Sequence, residues 1–161
     1  MWDNDETDLP RETGALIDYI LSRYHERHRA DLAELIPLAR RVEQVHADDP
    51  EAPLGLASAL ATLAQEIEDH MVKEERMLFP TMRDGGRDTI TRPITVLRAD
   101  HDRHACTIAP IRNLTADLTP PAHACRSWRT LYSRTAILLD DLGAHIALEN
   151  ERLFPWFEVV E

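Results

Sequence analysis

No apolar run in this 161-residue chain approaches the roughly 20 residues that a membrane-spanning helix needs, which argues against an integral membrane protein of the helical kind. The opening residues, Met1-Trp2-Asp3-Asn4-Asp5-Glu6, are acidic and lack both a basic start and an apolar core. No secretory signal is read there, and the cytoplasm is the expected location. Basic residues are also scarce: 18 Lys and Arg stand against 29 Asp and Glu, a formal charge of −11. Nucleic acid and anionic lipid are disfavoured as partners, because most of the surface would repel them. The two cysteines, Cys106 and Cys125, have no neighbouring Cys with which to form a redox or zinc motif, and they are expected to be reduced, packed thiols. Five glycines and few β-branched runs leave little to build a sheet from.

The remaining pattern is helical. With 43% hydrophobic residues the chain can bury a core, and residues 1–161 read as one domain with a flexible stretch at 1–11. Apolar residues recur three and four apart in four segments. The first runs from about Glu12 to Glu43, with a kink expected at Pro37, and ends before Asp48-Asp49-Pro50. The second starts after Pro53 and stops near Asp84-Gly85-Gly86. The third begins near Pro93 and ends between Leu114 and Leu118, before Thr119-Pro120-Pro121, and the fourth spans Ala124 to about Glu158. Short connections between such segments make antiparallel neighbours. The expected fold is all-α, an up-down four-helix bundle.

A twofold repeat runs through these helices. His70-Met71-Val72-Lys73-Glu74 leads to Leu78-Phe79-Pro80, and His145-Ile146-Ala147-Leu148-Glu149 leads to Leu153-Phe154-Pro155. Upstream of each arm stands a matching pair, His25 with His28 and His101 with His104. On a helix, positions i and i+4 lie about 40° apart around the axis and about 6 Å along it, so each His and its Glu leave from one face. Counting along the rods puts His25, His70, His101 and His145 in one layer. Glu74 and Glu149, on the two parallel helices, point into the gap between them. Each of two metals would then take two histidines, either His25 with His145 and His70 with His101 or the alternate pairing, and both carboxylates would bridge. Imidazole and carboxylate without thiolate suit iron or manganese, with zinc possible, and a binuclear site with open positions favours iron. Burying so many ionisable groups in a bundle core without metal would cost several kcal/mol apiece, which argues against ordinary core histidines.

The set His25, His70-x-x-x-Glu74, His101 and His145-x-x-x-Glu149 resembles the hemerythrin-type cation-binding domain, and within it the di-iron domain of the repair of iron centres proteins. Further matches are Arg23-Tyr24-His25-Glu26-Arg27-His28-Arg29, Val45-His46-Ala47-Asp48, Thr119-Pro120-Pro121 and Ala124-Cys125, so the likeness covers nearly the whole chain. The resemblance implies two non-haem irons with an oxo or hydroxo bridge, a cytoplasmic role under nitric oxide or peroxide stress with nitric oxide or dioxygen as ligand, and damaged iron–sulfur proteins as partners. A nitric oxide reductase or peroxidase, and a gas-sensing or iron-storing protein, are the alternatives. Longer family members carry a small N-terminal domain with a cysteine motif. The chain begins at the bundle, which weakens the repair assignment: a stand-alone bundle could bind nitric oxide or dioxygen, or reduce nitric oxide, without delivering iron to a partner. Position 105, four residues after His101, is Ala where dioxygen-carrying hemerythrins have a second His, which argues against reversible dioxygen carriage.

Other positions carry weaker signals. Glu66 and Asp141 each precede an arm histidine by four residues and could accept its outward N–H, or could belong to a solvated face. His28 and His104 read more readily as core or surface residues than as extra ligands or ligand supports. His46 is 21 residues beyond His25, roughly 30 Å along a continuous helix, and should not share the metals. His123 should be exposed, and each Leu-Phe-Pro should pack a bundle end. Cys106 and Cys125 should differ in height by roughly 20 Å, too far for a disulfide.

Overall fold

The computed structural model describes residues 9–86 and 89–158. Of the stretch expected to be flexible, residues 1–8 lie outside this range. Four helical rods make up the fold. The first comprises α1 (Thr13–Ile20), a π turn (Leu21–His25) and α2 (Glu26–Val45). The second comprises α3 (Leu56–Lys73), a π turn (Glu74–Leu78) and α4 (Phe79–Arg83). The third is α5 (Thr91–Leu114), and the fourth is α6 (Arg126–Leu148) with a π turn (Glu149–Leu153) and a 3-10 turn (Phe154–Trp156). These rods match the four expected segments to within a few residues. α2 continues past Pro37 without ending, and α5 likewise contains Pro110. No helix of the described residues is long and apolar enough to cross a membrane.

Side-chain pairs fix the directions. Between the first two rods Arg83 meets Asp18, Arg29 meets Glu68, and Glu43 meets Gly55 and Ala57, so residue numbers fall on one rod as they rise on the other. The same holds where Lys73 meets Asp100 and Glu66 meets Thr107, and where Arg23 meets Asp141 and His46 meets Cys125. The bundle is therefore antiparallel. Its ends are capped by side chains from neighbouring rods and by local turns. Glu43 accepts from the backbone N–H of Gly55 and Ala57 at the start of α3, where Gly55 has φ 95°, a conformation that costs glycine little. After α5 the chain turns through three left-handed residues, Ala116, Asp117 and Leu118, held by a Leu118 N–H bond to Thr115 Oγ1 of 2.9 Å.

Two apolar clusters fill the interior. One holds Leu35, Leu60, Leu63, Trp128 and Leu138, and the other holds Ile17, Ile20, Phe79, Ile94 and Phe154. The histidines at 25–28, 101–104 and 145 fall between the two, and His70 lies at the edge of the first, beside Met71. The polar layer is thus sealed by hydrocarbon above and below.

The π turns share a cause in two of three cases. Pro80 and Pro155 each follow a π turn; a proline gives no N–H and its ring crowds the carbonyl four residues back, so the preceding turn widens instead of continuing as α. Phe79 N–H then bonds to Glu74 O and Phe154 N–H to Glu149 O, five residues back. Both widened turns begin at the arm carboxylates.

Candidate metal centre

Six polar side chains meet in that layer: His25, His70, Glu74, His101, His145 and Glu149, none more than 4% exposed. His25 Nε2 lies 3.3 Å from Glu74 Oε1, and His70 Nε2 lies 3.2 Å from the same oxygen. Glu149 reaches both sides with different atoms. Its Oε2 is 3.2 Å from His145 Nε2, while its Oε1 is 3.0 Å from His101 Nε2 and 3.7 Å from His70 Nε2. Two groups of potential ligands result, His25, Glu74, His145 and Glu149 in one and His70, His101 and Glu149 in the other. Of the two pairings open from the sequence, this is His25 with His145 and His70 with His101.

These atoms satisfy a cation better than they satisfy one another. His25 Nε2, His145 Nε2 and all four oxygens of Glu74 and Glu149 are buried without a hydrogen bond, a costly set to leave bare. His70 Nε2 and His101 Nε2 stand 3.0 Å apart. With metal–ligand bonds of about 2.1 Å, ligands at right angles stand about 3 Å apart, so the observed spacings suit a shared ion. The donor set fits iron or a similar divalent metal.

The electrostatics agree. Burial, reinforced by His145, pushes His25 down to about 4. Burial also lowers His28 to about 3 and His104 to about 4. Neutral imidazole is the ligand form at neutral pH. Burial and the facing Glu149 raise Glu74 well above the usual carboxylate range. Burial acts on Glu149 in the same sense, but the facing His145, with Glu74 and His101 beside it, outweighs burial and holds Glu149 well below that range. Without a cation the two carboxylates cannot both carry charge comfortably.

Each histidine is oriented through its outer nitrogen. His25 Nδ1 lies 2.7 Å from Glu75 Oε2, His70 Nδ1 3.3 Å from Asp100 Oδ2, and His101 Nδ1 2.9 Å from Asn150 Oδ1. His145 Nδ1 lies 3.1 Å from His28 Nε2. Asp100 is itself pinned by Lys73 and Arg103. A cleft of about 230 Å³, lined by Glu66, Asp69, His70, Lys73, Asp100, Arg103 and His104, opens beside the His70 side.

The sequence model of the hemerythrin HHE cation binding domain matches residues 16–157. The chain belongs to that family. Among relatives, it is 46% identical over 140 residues to the iron-sulfur cluster repair protein YtfE of Cronobacter sakazakii, covering 87% of this chain and 63% of that protein. The protein of the same name from Dickeya chrysanthemi is 45% identical over 142 residues, 88% of this chain and 64% of its own length. That of Salmonella newport is 44% identical over 140 residues, with 87% and 64% covered. The chain thus spans a little under two thirds of these relatives.

The structure decides between the readings left open for the surroundings. Glu66 and Asp141 do not support the histidines: Glu66 accepts from Thr107, and Asp141 pairs with Arg23. Helix geometry explains why, since a side chain leans toward its own N-terminus and one placed four residues earlier points down the rod, away from the ring. The partners come instead from positions adjacent to the family motifs, Glu75 after Glu74, Asn150 after Glu149 and Asp100 before His101. Adjacency to a ligand was the available signal. His28 and His104 are buried, as the core reading requires, yet both stand against the arm histidines. The Leu-Phe-Pro segments pack the bundle end and do more, because Phe79 stacks on His25 at 5.7 Å and Phe154 on His101 at 5.8 Å between ring centres.

The remaining histidines and thiols sit elsewhere. His46 lies at the far end, its Nε2 3.2 Å from Cys125 Sγ and its ring against Trp128. His123 is exposed and pairs with Asp49. Both cysteines are free, as expected. Cys106 is exposed where packing was expected, and Cys125 caps α6 by accepting from Trp128 N–H at 3.4 Å.

Proposed function

We propose that this is a non-haem di-iron protein of nitrosative and oxidative stress defence that serves iron–sulfur cluster repair in the cytoplasm. The observation that carries the reading is the buried layer of four histidines and two glutamates whose inward atoms lack hydrogen bonds. His25 and His145 would hold one iron, His70 and His101 the other, with Glu74 and Glu149 spanning the two. Bound iron would supply a redox pair with open positions for nitric oxide or dioxygen. The chain's own part is to keep the imidazoles neutral by burial, to orient them through Glu75, Asp100 and Asn150, and to exclude water with the two apolar clusters.

Support for repair comes from the relatives named for it and from the polar cleft beside His70. Glu66 and Asp69 there would offer oxygen ligands to a ferrous ion passing, as cargo, between the layer and solvent, while Asp100 is held by Lys73 and Arg103. The test is to load the chain with ferrous iron and measure iron transfer to an apo iron–sulfur enzyme beside nitrous oxide formation from nitric oxide. Transfer supports repair. Nitrous oxide without transfer would move the reading to a nitric oxide reductase.

A further inference from the structure

Three of the four arm and partner histidines rest their outer nitrogen on an oxygen: His25 on Glu75, His70 on Asp100 and His101 on Asn150. His145 rests on another imidazole. Its Nδ1 lies 3.1 Å from Nε2 of His28, and both rings are buried. Nε2 of His145 faces Glu149 Oε2 at 3.2 Å, so as a ligand that nitrogen carries no proton, and the ring's single proton belongs on Nδ1. His145 Nδ1–H then donates to His28 Nε2. His28 must in turn keep its own proton on Nδ1, an atom buried without a partner.

We propose that His28 is a positioning residue that acts through His145, fixing its tautomer and ring orientation for metal binding; this rests on the reading of His145 as an iron ligand. A residue present only to fill the core would not be an imidazole here, because a leucine of similar bulk leaves no buried N–H unsatisfied. The pseudo-twofold mate shows what is particular to His28. His104 stands three residues after His101 as His28 does after His25, and its ring meets His70 edge-on at 5.3 Å. Asp100 already takes the outer nitrogen of His70, so His104 is left without that role. Each potential metal group therefore combines one histidine backed by a carboxylate with one backed by a neutral acceptor, His25 with His145 and His70 with His101. The carboxylate-backed rings are the more basic ligands.

The experiment compares His28→Leu, His28→Gln and His145→Gln with the unaltered chain. Three readings are taken: thermal stability of the metal-free chain, the His145 tautomer from ¹⁵N ring shifts of the metal-free chain, and Fe(II) affinity by anaerobic chelator competition. His28→Leu should melt at or above the unaltered chain, lose the fixed Nδ1–H tautomer at His145, and bind Fe(II) about 10- to 100-fold more weakly. His28→Gln, whose side-chain oxygen can accept the same bond, should keep the tautomer and most of the affinity. Unchanged tautomer and affinity in His28→Leu, or equal damage from Gln and Leu, overturns the assignment. An affinity loss that only follows a loss of metal-free stability overturns it too. The control separates the two levels: if His145→Gln binds Fe(II) normally, the ligand reading of His145 fails, and if it loses iron while His28→Leu does not, only the role of His28 fails.

Discussion

His25 touches two consecutive glutamates through its two ring nitrogens, Glu74 at 3.3 Å on the inner side and Glu75 at 2.7 Å on the outer. Consecutive residues on a regular helix diverge by about 100°, and the π turn that starts at Glu74 lies where this clasp forms. Burial works to raise Glu75, but hydrogen bonds from Arg29 and His25 prevail and hold its carboxyl below the usual range, so it stays charged at neutral pH. An ionised acceptor fixes the ring and increases its basicity as a ligand.

Removing that acceptor should weaken metal binding without unfolding the chain. Glu75→Leu is expected to lower Fe(II) affinity about 10- to 100-fold, and Glu75→Gln by less, since an amide oxygen still accepts from His25 Nδ1–H. Chelator competition on both variants reads this directly. Equal affinity in all three proteins would remove Glu75 from the site.

Metal content should be two irons per chain, with a near-ultraviolet charge-transfer band from iron and its oxygen bridge. Glu149→Ala should release both ions, because Glu149 reaches both groups of ligands, and Glu74→Ala should also lose iron. His46→Ala should retain both ions, since His46 packs on Trp128 at the far end. Elemental analysis of the three variants decides the matter. One metal per chain, or zinc alone after iron-replete expression, would overturn the di-iron reading.

The metal-free chain should lose stability as pH falls below neutrality. His25, His28 and His104 sit at about 4, 3 and 4 in the folded chain against an ordinary 6.5, so below 6.5 the unfolded chain binds protons that the folded one refuses. Glu74 opposes them: its raised folded value means that above 4.5 the folded chain keeps a proton that the unfolded one releases. Between pH 6.5 and 4.5, unfolding takes up about three protons and releases about one. Stability should drop on the order of 2–3 kcal/mol per pH unit at the steepest point. Melting curves of the metal-free chain across this window test the sign; a stability that rises as pH falls would mean that these rings titrate as exposed histidines do and that Glu74 alone sets the slope.

Loaded with ferrous iron, the chain should bind nitric oxide, visible as new absorption bands and an N–O stretch in the infrared. Failure to bind it would withdraw the stress-defence reading and leave iron storage or an oxidase. Poor reactivation of a damaged iron–sulfur enzyme by the chain, relieved by adding a cysteine-bearing partner, would show that delivery needs that partner.

Much of this was written in spacing. Apolar residues such as Leu56, Leu60, Leu63 and Ile67 follow the helical period, and the His-x-x-x-Glu arms do too, so four rods and six converging side chains could be read by counting. Period determines which face of a helix a residue leaves from and how high it stands. It does not determine what stands opposite. That Asp100 rather than Glu66 meets His70, that His28 meets His145, and that Phe79 and Phe154 lie on the rings depends on how one rod rotates against the next. The π turns enter here as well, because each adds a residue to a turn and shifts the face that everything after it presents. The sequence by itself determined the bundle, the layer and its donors, since these follow from local periodicity. The sorting of the six side chains into two groups and the partners behind them were decided only by the tertiary structure, because contacts between rods depend on rotations that no single helix encodes.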